Sequence, residues 1–220
     1  LSQMARFASG QDLYTDFHIG YTPGVYWVHG LLLRAFDGNL IPGRLALALA
    51  IGGTVRAGKY LGENRPSAAS AIFSKCLMAT FAIALIGALA SLVSHESLYR
   101  ALGASADLFT LMSEYFLIIV WVMVVQLVTM VLYYFIRVDG FPVLATTALV
   151  VGSGANILLD ALLVGYLDYG LRGAAVATGI AQILQFGVLL FYISAWKRRL
   201  KFQLHQQQWN EVFKAFTNGV

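Results

Sequence analysis

From Tyr115 to Ile136 the chain reads YFLIIVWVMVVQLVTMVLYYFI, closed by Arg137 and Asp139. No Asp, Glu, Lys, Arg or His interrupts this run. Its length matches the roughly 20 apolar residues that cross a bilayer core as a helix. The rest of the chain has the same character: 59% of residues are hydrophobic, 12% are charged, and the mean hydropathy is +0.70. A chain of this composition cannot hide its apolar surface inside one soluble core, so it needs lipid as its solvent.

Three further spans follow from the same reading. Cys76 to Ser94 is free of charge; Gly140 to Leu159 continues apolar to Tyr166 and is interrupted only by Asp160; Gly173 to Trp196 is again uncharged. Upstream, Val25 to Ala35 and Leu45 to Thr54 are each too short alone, and Arg34, Asp37, Pro42 and Arg44 interrupt the region. They read either as one interrupted hairpin or as two incomplete spans, helical wherever they face lipid. The fold class expected is all-α, a polytopic helical membrane bundle with an atypical N-terminal hairpin.

Charge alternates along the loops. Arg56, Lys59, Arg65 and Lys75 precede the first confident span, and the next loop carries His95, Glu96 and Asp107 against Arg100. Arg137 returns to the basic side, Asp168 lies on the other, and Lys197, Arg198, Arg199 and Lys201 close the fourth span. The basic loops are expected to be cytoplasmic, which places the chain in the inner membrane as a multi-pass protein. The net charge of +4 is thereby accounted for by the membrane, and nucleic acid is not an expected partner. Gln203 to Gln208 reads as a polar connector, and Trp209 to Phe216 as an interfacial helix leading onward. Leu1 at the start and the abrupt Asn218-Gly219-Val220 ending suggest a fragment of something longer.

An ionisable group at membrane depth persists when paired, hydrated or near the interface. Asp160 is the one carboxylate inside the four spans, and Asn156 precedes it by one helical turn, on the same face. The two can share a proton, a cation or a water. Against this stands the plainer reading that Asp160 already reaches the outer interface, with Asn156 serving as interhelical glue. The next helix opens with small residues at four-residue spacing, Gly173, Ala177 and Ala181, then Ala175 and Gly179, which suits tight packing. The short turn from Tyr166 to Arg172 makes these helices antiparallel neighbours, so Thr178 can face the Asn156 and Asp160 side or bond back to its own helix. Tyr115 begins its span near the same side, as a hydroxyl donor to that site or as part of an aromatic belt.

Other chemistries find no pattern. Cys76 is the single cysteine, so no disulfide or cysteine metal site forms within one chain. His18, His29, His95 and His205 lack metal-ligand spacing. Gly52-Gly53-Thr54 and Gly58-Lys59 do not reproduce a phosphate-binding loop, so no ATP chemistry and no cofactor is expected.

Residues Ile51 to Glu63 (IGGTVRAGKYLGE), then Arg137-Val138-Asp139-Gly140, then Asn156 to Asp160, then Gly173 to Thr178, resemble in order and spacing the multidrug and toxin extrusion (MATE) transporters, from the end of the second helix through the sixth. The resemblance covers about three-quarters of the chain, residues 51–202, with 203–220 as connector. It implies one lobe of a two-lobed antiporter that is not an enzyme and that spends an inward proton or sodium gradient to expel small organic, often cationic, compounds. It implies a cation- or proton-binding site at Asp160, Asn156, Thr178 and Tyr115, with Na+ held at Asp160 and Asn156. The chain would lack the second lobe, which is then a partner to be found alongside lipid.

Residues 1–50 resemble something else. Tyr14-Thr15-Asp16-Phe17, Tyr21 to Tyr26 (YTPGVY) and Gly38 to Leu45 (GNLIPGRL) look like the first external loop and second helix of membrane glycosyltransferases that use lipid-linked sugars, in which Asp16 would assist catalysis. A MATE first helix contributes a carboxylate, and the nearest acidic residue, Asp37, lies in a turn-like Phe-Asp-Gly-Asn segment. The simplest expectation is a seam near residues 43–51. The alternatives are a divergent transporter start, a glycosyltransferase fragment, or a chimeric membrane segment that packs and transports nothing.

Overall fold

The computed structural model describes residues 41–101, 106–194 and 197–203. These form five helices: α1 (Ile41–Gly62), α2 (Pro66–Ala101), α3 (Ala106–Val138), α4 (Pro142–Asp160) and α5 (Gly170–Ser194). A short π-helical segment, Ala161–Tyr166, prolongs α4. Four stretches are long and apolar enough to cross a membrane: Pro66–Ser97, Met112–Val138, Pro142–Tyr166 and Gly170–Tyr192. They coincide with the four expected spans, and the chain is an all-helical multi-pass membrane protein in its described part. Large apolar side chains such as Ile86, Val93, Val150, Ile157, Leu158 and Phe191 stand exposed along them, which suits lipid rather than water as the surrounding medium.

Upstream, Leu45 to Thr54 is the middle of α1, a continuous helix of 22 residues. Pro42 lies in its first turn, where a missing N–H costs nothing, so it starts the helix instead of breaking it. Val25 to Ala35, like Asp16, Asp37 and the interfacial helix expected at Trp209 to Phe216, lies outside the described residues.

The two basic-side turns are built alike. After α1, Asn64 adopts φ 57° while the Arg65 N–H donates to the Tyr60 carbonyl at 2.8 Å. After α3, Gly140 adopts φ 98° while the Phe141 N–H donates to the Ile136 carbonyl at 3.0 Å. Each is a left-handed helix cap that satisfies terminal carbonyls. Each is followed by a proline, Pro66 or Pro142, at the head of the next helix. The turns are therefore tight, and successive helices run antiparallel.

The chain divides into two compact units, one of Leu1–Ile41 with Ser94–Phe109, the other of Pro42–Val93 with Thr110–Val220. In the described part of the first, Tyr99 is buried and meets His95 and Phe109 edge to face. The second holds the main core, where Ala50 and Ala57 of α1, Ile72, Phe73 and Cys76 of α2, Val131 and Phe135 of α3, Ala145 and Ala148 of α4, and Leu189 of α5 pack together. Gly53 marks the closest approach: a Cβ there would stand 2.7 Å from Cys76 Sγ and 2.9 Å from Phe135 Cζ. A second cluster, Ala84 and Ala88 against Val120 and Val124, joins α2 to α3 further along.

Candidate functional site

On α4 the buried residues are Ala145, Ala148 and Gly152. The same stripe, continued by helical turns, reaches Asn156 and then Asp160. Helix α5 packs on this stripe with its small residues. Ala175, Ala177 and Ala181 are buried, and a Cβ on Gly179 would lie 3.2 Å from Val122 of α3. Close packing is therefore what those small residues accomplish.

Within this seam Asn156 and Thr178 meet. The Asn156 Nδ2 is 3.5 Å from Thr178 Oγ1, a long contact, while the Thr178 hydroxyl donates to the Ala174 carbonyl at 2.9 Å. The threonine thus bonds back to its own helix and still offers a lone pair across the seam. Asp160 Oδ1 is shielded from solvent and has no hydrogen-bond partner, though the residue as a whole is only partly buried. Tyr115 at the head of its span on α3 is partly buried and within electrostatic reach of Asp160. The arrangement gathers one carboxylate, one amide, one aliphatic hydroxyl and one phenol. All four supply hard oxygen donors, the type that suits a proton or an alkali cation.

Asp160 stands about 9 Å short of the span's end at Tyr166, measured along a helix. The π-helical turn begins right after it, with wide hydrogen bonds such as Leu167 N–H to Leu162 O at 2.9 Å. Such segments distort a regular helix and often accompany functional sites. A Cβ on Gly173 would come within 3.1 Å of the Leu163 carbonyl, so the missing side chain lets α5 lie against this irregular backbone.

A second polar centre, whose partners no local sequence pattern marks, lies at the opposite, basic end. Asp139 is 4% exposed, and its carboxylate accepts from the Tyr192 hydroxyl, the Arg199 N–H at 2.9 Å, the Leu200 N–H at 3.3 Å and Arg199 Nε at 3.1 Å. From there the chain runs along α2. Ser70 accepts from the Lys201 N–H at 3.0 Å, and Ser74, one turn on, accepts from the Gln203 N–H at 2.8 Å. Two serines on one helical face thereby stand in for a partner strand. The partners of Asp139 lie 53 to 61 residues away, so no local pattern announces them.

Comparison with known proteins decides the lineage. The family model MatE matches residues 38–162. The chain belongs to the MatE family. The multidrug export protein MepA of Staphylococcus aureus, strains MSSA476 and MRSA252 among others, is 27% identical over 143 residues, covering 63% of this chain and 31% of MepA. An inward-facing multidrug resistance MATE family transporter of the MOP superfamily superposes with TM-score 0.75 at 22% identity, covering 89% of this chain and 44% of that one. A MATE protein in its bent conformation gives 0.74 at 20% identity, over 90% of this chain and 45% of that one. A MOP superfamily transporter from Pyrococcus furiosus gives 0.74 at 21%, over 90% and 44%. At these identities the structural likeness carries the fold, and the MatE chain described here spans about a third of MepA and under half of the solved transporters.

The MatE match begins upstream of the seam expected at residues 43–51, and α1 runs through that stretch unbroken. A join between two unrelated proteins is not supported, nor is a glycosyltransferase; MatE proteins are transporters.

Proposed function

We propose that this MatE chain forms part of a multi-pass exporter of the inner membrane that moves small organic, often cationic, compounds outward in exchange for Na+ or H+. The coupling ion occupies Asp160, assisted by Asn156, Thr178 and Tyr115. The observation that carries this reading is the shielded, unpartnered Oδ1 of Asp160 one helical turn from the Asn156–Thr178 contact. A buried carboxylate oxygen lacking a partner is costly unless something visits it. Turned over, the Asn156 amide presents Oδ1 in place of Nδ2, and the carboxylate, amide and threonine oxygens together suit a sodium ion; protonation of Asp160 needs no such turn.

Either occupant removes a negative charge from among the helices. An ion that binds one conformation more tightly than another shifts the population toward it by that difference in affinity. Family membership and the likeness to MepA support the substrate class, and a second lobe completing the path is part of the same proposal. The test is efflux of a fluorescent cationic dye from cells producing the protein, under imposed proton or sodium gradients. Gradient-dependent efflux that Asp160→Asn abolishes and Asp160→Glu partly restores is the expected result. Efflux unchanged by Asp160→Asn would remove the site assignment.

A further inference from the structure

The ion site does not end at Thr178. One turn further along α5, Gln182 is 9% exposed, and its Nε2 is shielded from solvent without a hydrogen-bond partner. It lies on the same heptad line as Ala175 and Leu189, both fully buried, so it occupies the inward stripe of α5. Thr178 and Gln185 flank that stripe and both reach α4: Thr178 meets Asn156, and Gln185 crosses over Gly152, where a Cβ would be 2.9 Å from its Oε1. On the other flank Gly179 faces Val122 of α3. Gln182 therefore sits where α3, α4 and α5 converge, between the Asn156–Thr178 contact and the Gln185–Gly152 contact.

Thr178, Gln182 and Gln185 span about 10 Å of helix in steps of about 4.5 to 6 Å. Gln182 Nε2 bonds to neither neighbour, and a bridging water would satisfy it. A buried amide that finds no protein partner is the group around which ordered water collects, and a water there has Thr178 and Gln185 as further polar neighbours.

We propose that Gln182 is a hydration site that relays the coupling ion between Asp160 and the basic, inner half of the bundle. Its amide holds water, and through its oxygen a partly hydrated sodium ion, on the way past Thr178 toward Gln185. This rests on the reading of Asp160 as the ion site. Gly152 leaves room for Gln185 against α4, because a side chain there would displace it.

The experiment uses the whole chain in lipid nanodiscs, with glutamine side-chain amides labelled with nitrogen-15 and the Gln182 signal assigned by its loss in Gln182→Met. Magnetisation transfer from water to the Gln182 amide protons is expected in the unmutated protein. Its absence, which would mean an amide bonded to protein, overturns the hydration site. The second arm follows the carboxyl infrared band of Asp160, assigned with Asp160→Asn, after a rapid sodium or pH jump. Gln182→Met is expected to slow relaxation about tenfold, the equivalent of one lost hydrogen-bonded step, and to leave the equilibrium response of the band in place. An unaltered rate overturns the relay. A band that responds to neither ion in the unmutated protein defeats the Asp160 reading instead, and the two failures are distinguishable.

Discussion

Arg199 closes on Asp139 from 60 residues away, its Nε 3.1 Å from Oδ1 and its own backbone N–H 2.9 Å from Oδ2. The carboxylate is fully buried, whereas the guanidinium side chain is about half exposed. The two ends of the pair are therefore unequal. Losing Asp139 strips four donors of their acceptor, while losing the Arg199 side chain leaves the carboxylate still held by two backbone N–H groups and Tyr192.

Asp139→Ala is accordingly expected to cost about 3 kcal/mol, the range for breaking a buried charged network, and Arg199→Ala about 1 kcal/mol because its partial exposure screens the pair. Tyr192→Phe should fall between them. Thermal unfolding in detergent ranks the three variants, and equal costs for Asp139→Ala and Arg199→Ala would refute the inequality.

The connector beyond Arg199 is held by Ser70 and Ser74, whose hydroxyls accept from the N–H groups of Lys201 and Gln203. Replacing both serines by alanine should undock this strand at about 1 kcal/mol per lost bond and speed trypsin cleavage after Lys201. Single alanine variants should lie midway. Cleavage as slow as in the unmutated chain would mean that apolar packing, such as that of buried Leu200, holds the strand by itself.

These contacts also mark where the sequence stopped being legible. Charge-free runs betray the part of a helix that faces lipid, so four spans could be read, but the first came out as Cys76 to Ser94 when α2 begins at Pro66. Its missing start contains Ser70, Ser74 and Lys75, polar residues that are buried and satisfied by tertiary partners or by their own helix. Asn156 and Asp160 were readable as one helical face because their relation is local. Thr178 opposite Asn156 was accessible through the shortness of the intervening turn. The sequence marks Asp139 only within the Arg137 to Gly140 motif and Gln182 not at all, since burial and distant partners give them their meaning.

Two glycines mark close approaches that leave no room for a Cβ. A Cβ at Gly53 meets Cys76 Sγ at 2.7 Å and the Phe135 ring at 2.9 Å, both in the main core. Gly53→Ala should destabilise by about 1–2 kcal/mol even after its gain in helix propensity, and Cys76→Ala should recover part of that in the double variant. A Cβ at Gly152 meets both the Cβ and the Oε1 of Gln185 at 2.9 Å, and a Cβ cannot rotate away, so Gly152→Ala should also destabilise, by about 1–2 kcal/mol. Chemical or thermal unfolding in which either substitution is neutral would contradict the close approach described at that glycine.

The ion site makes a prediction about stability that a purely structural polar cluster does not. An ionised Asp160 with one shielded, unpartnered oxygen is a standing cost, so Asp160→Asn should raise the unfolding temperature when small cations are replaced by choline, by the equivalent of about 1–2 kcal/mol. Adding sodium should stabilise the unmutated chain by about 2.7 kcal/mol at a hundredfold excess over its dissociation constant and leave Asp160→Asn unmoved. Asn156→Ala and Thr178→Val should weaken that response, while Thr178→Ser, which keeps the oxygen, should preserve it. If protons are the coupling ion, acid replaces sodium as the stabilising agent and the ranking of variants stays the same. A chain that Asp160→Asn destabilises, and that neither ion stabilises, would instead have a carboxylate whose role is to hold the outer end of α4 to its neighbours.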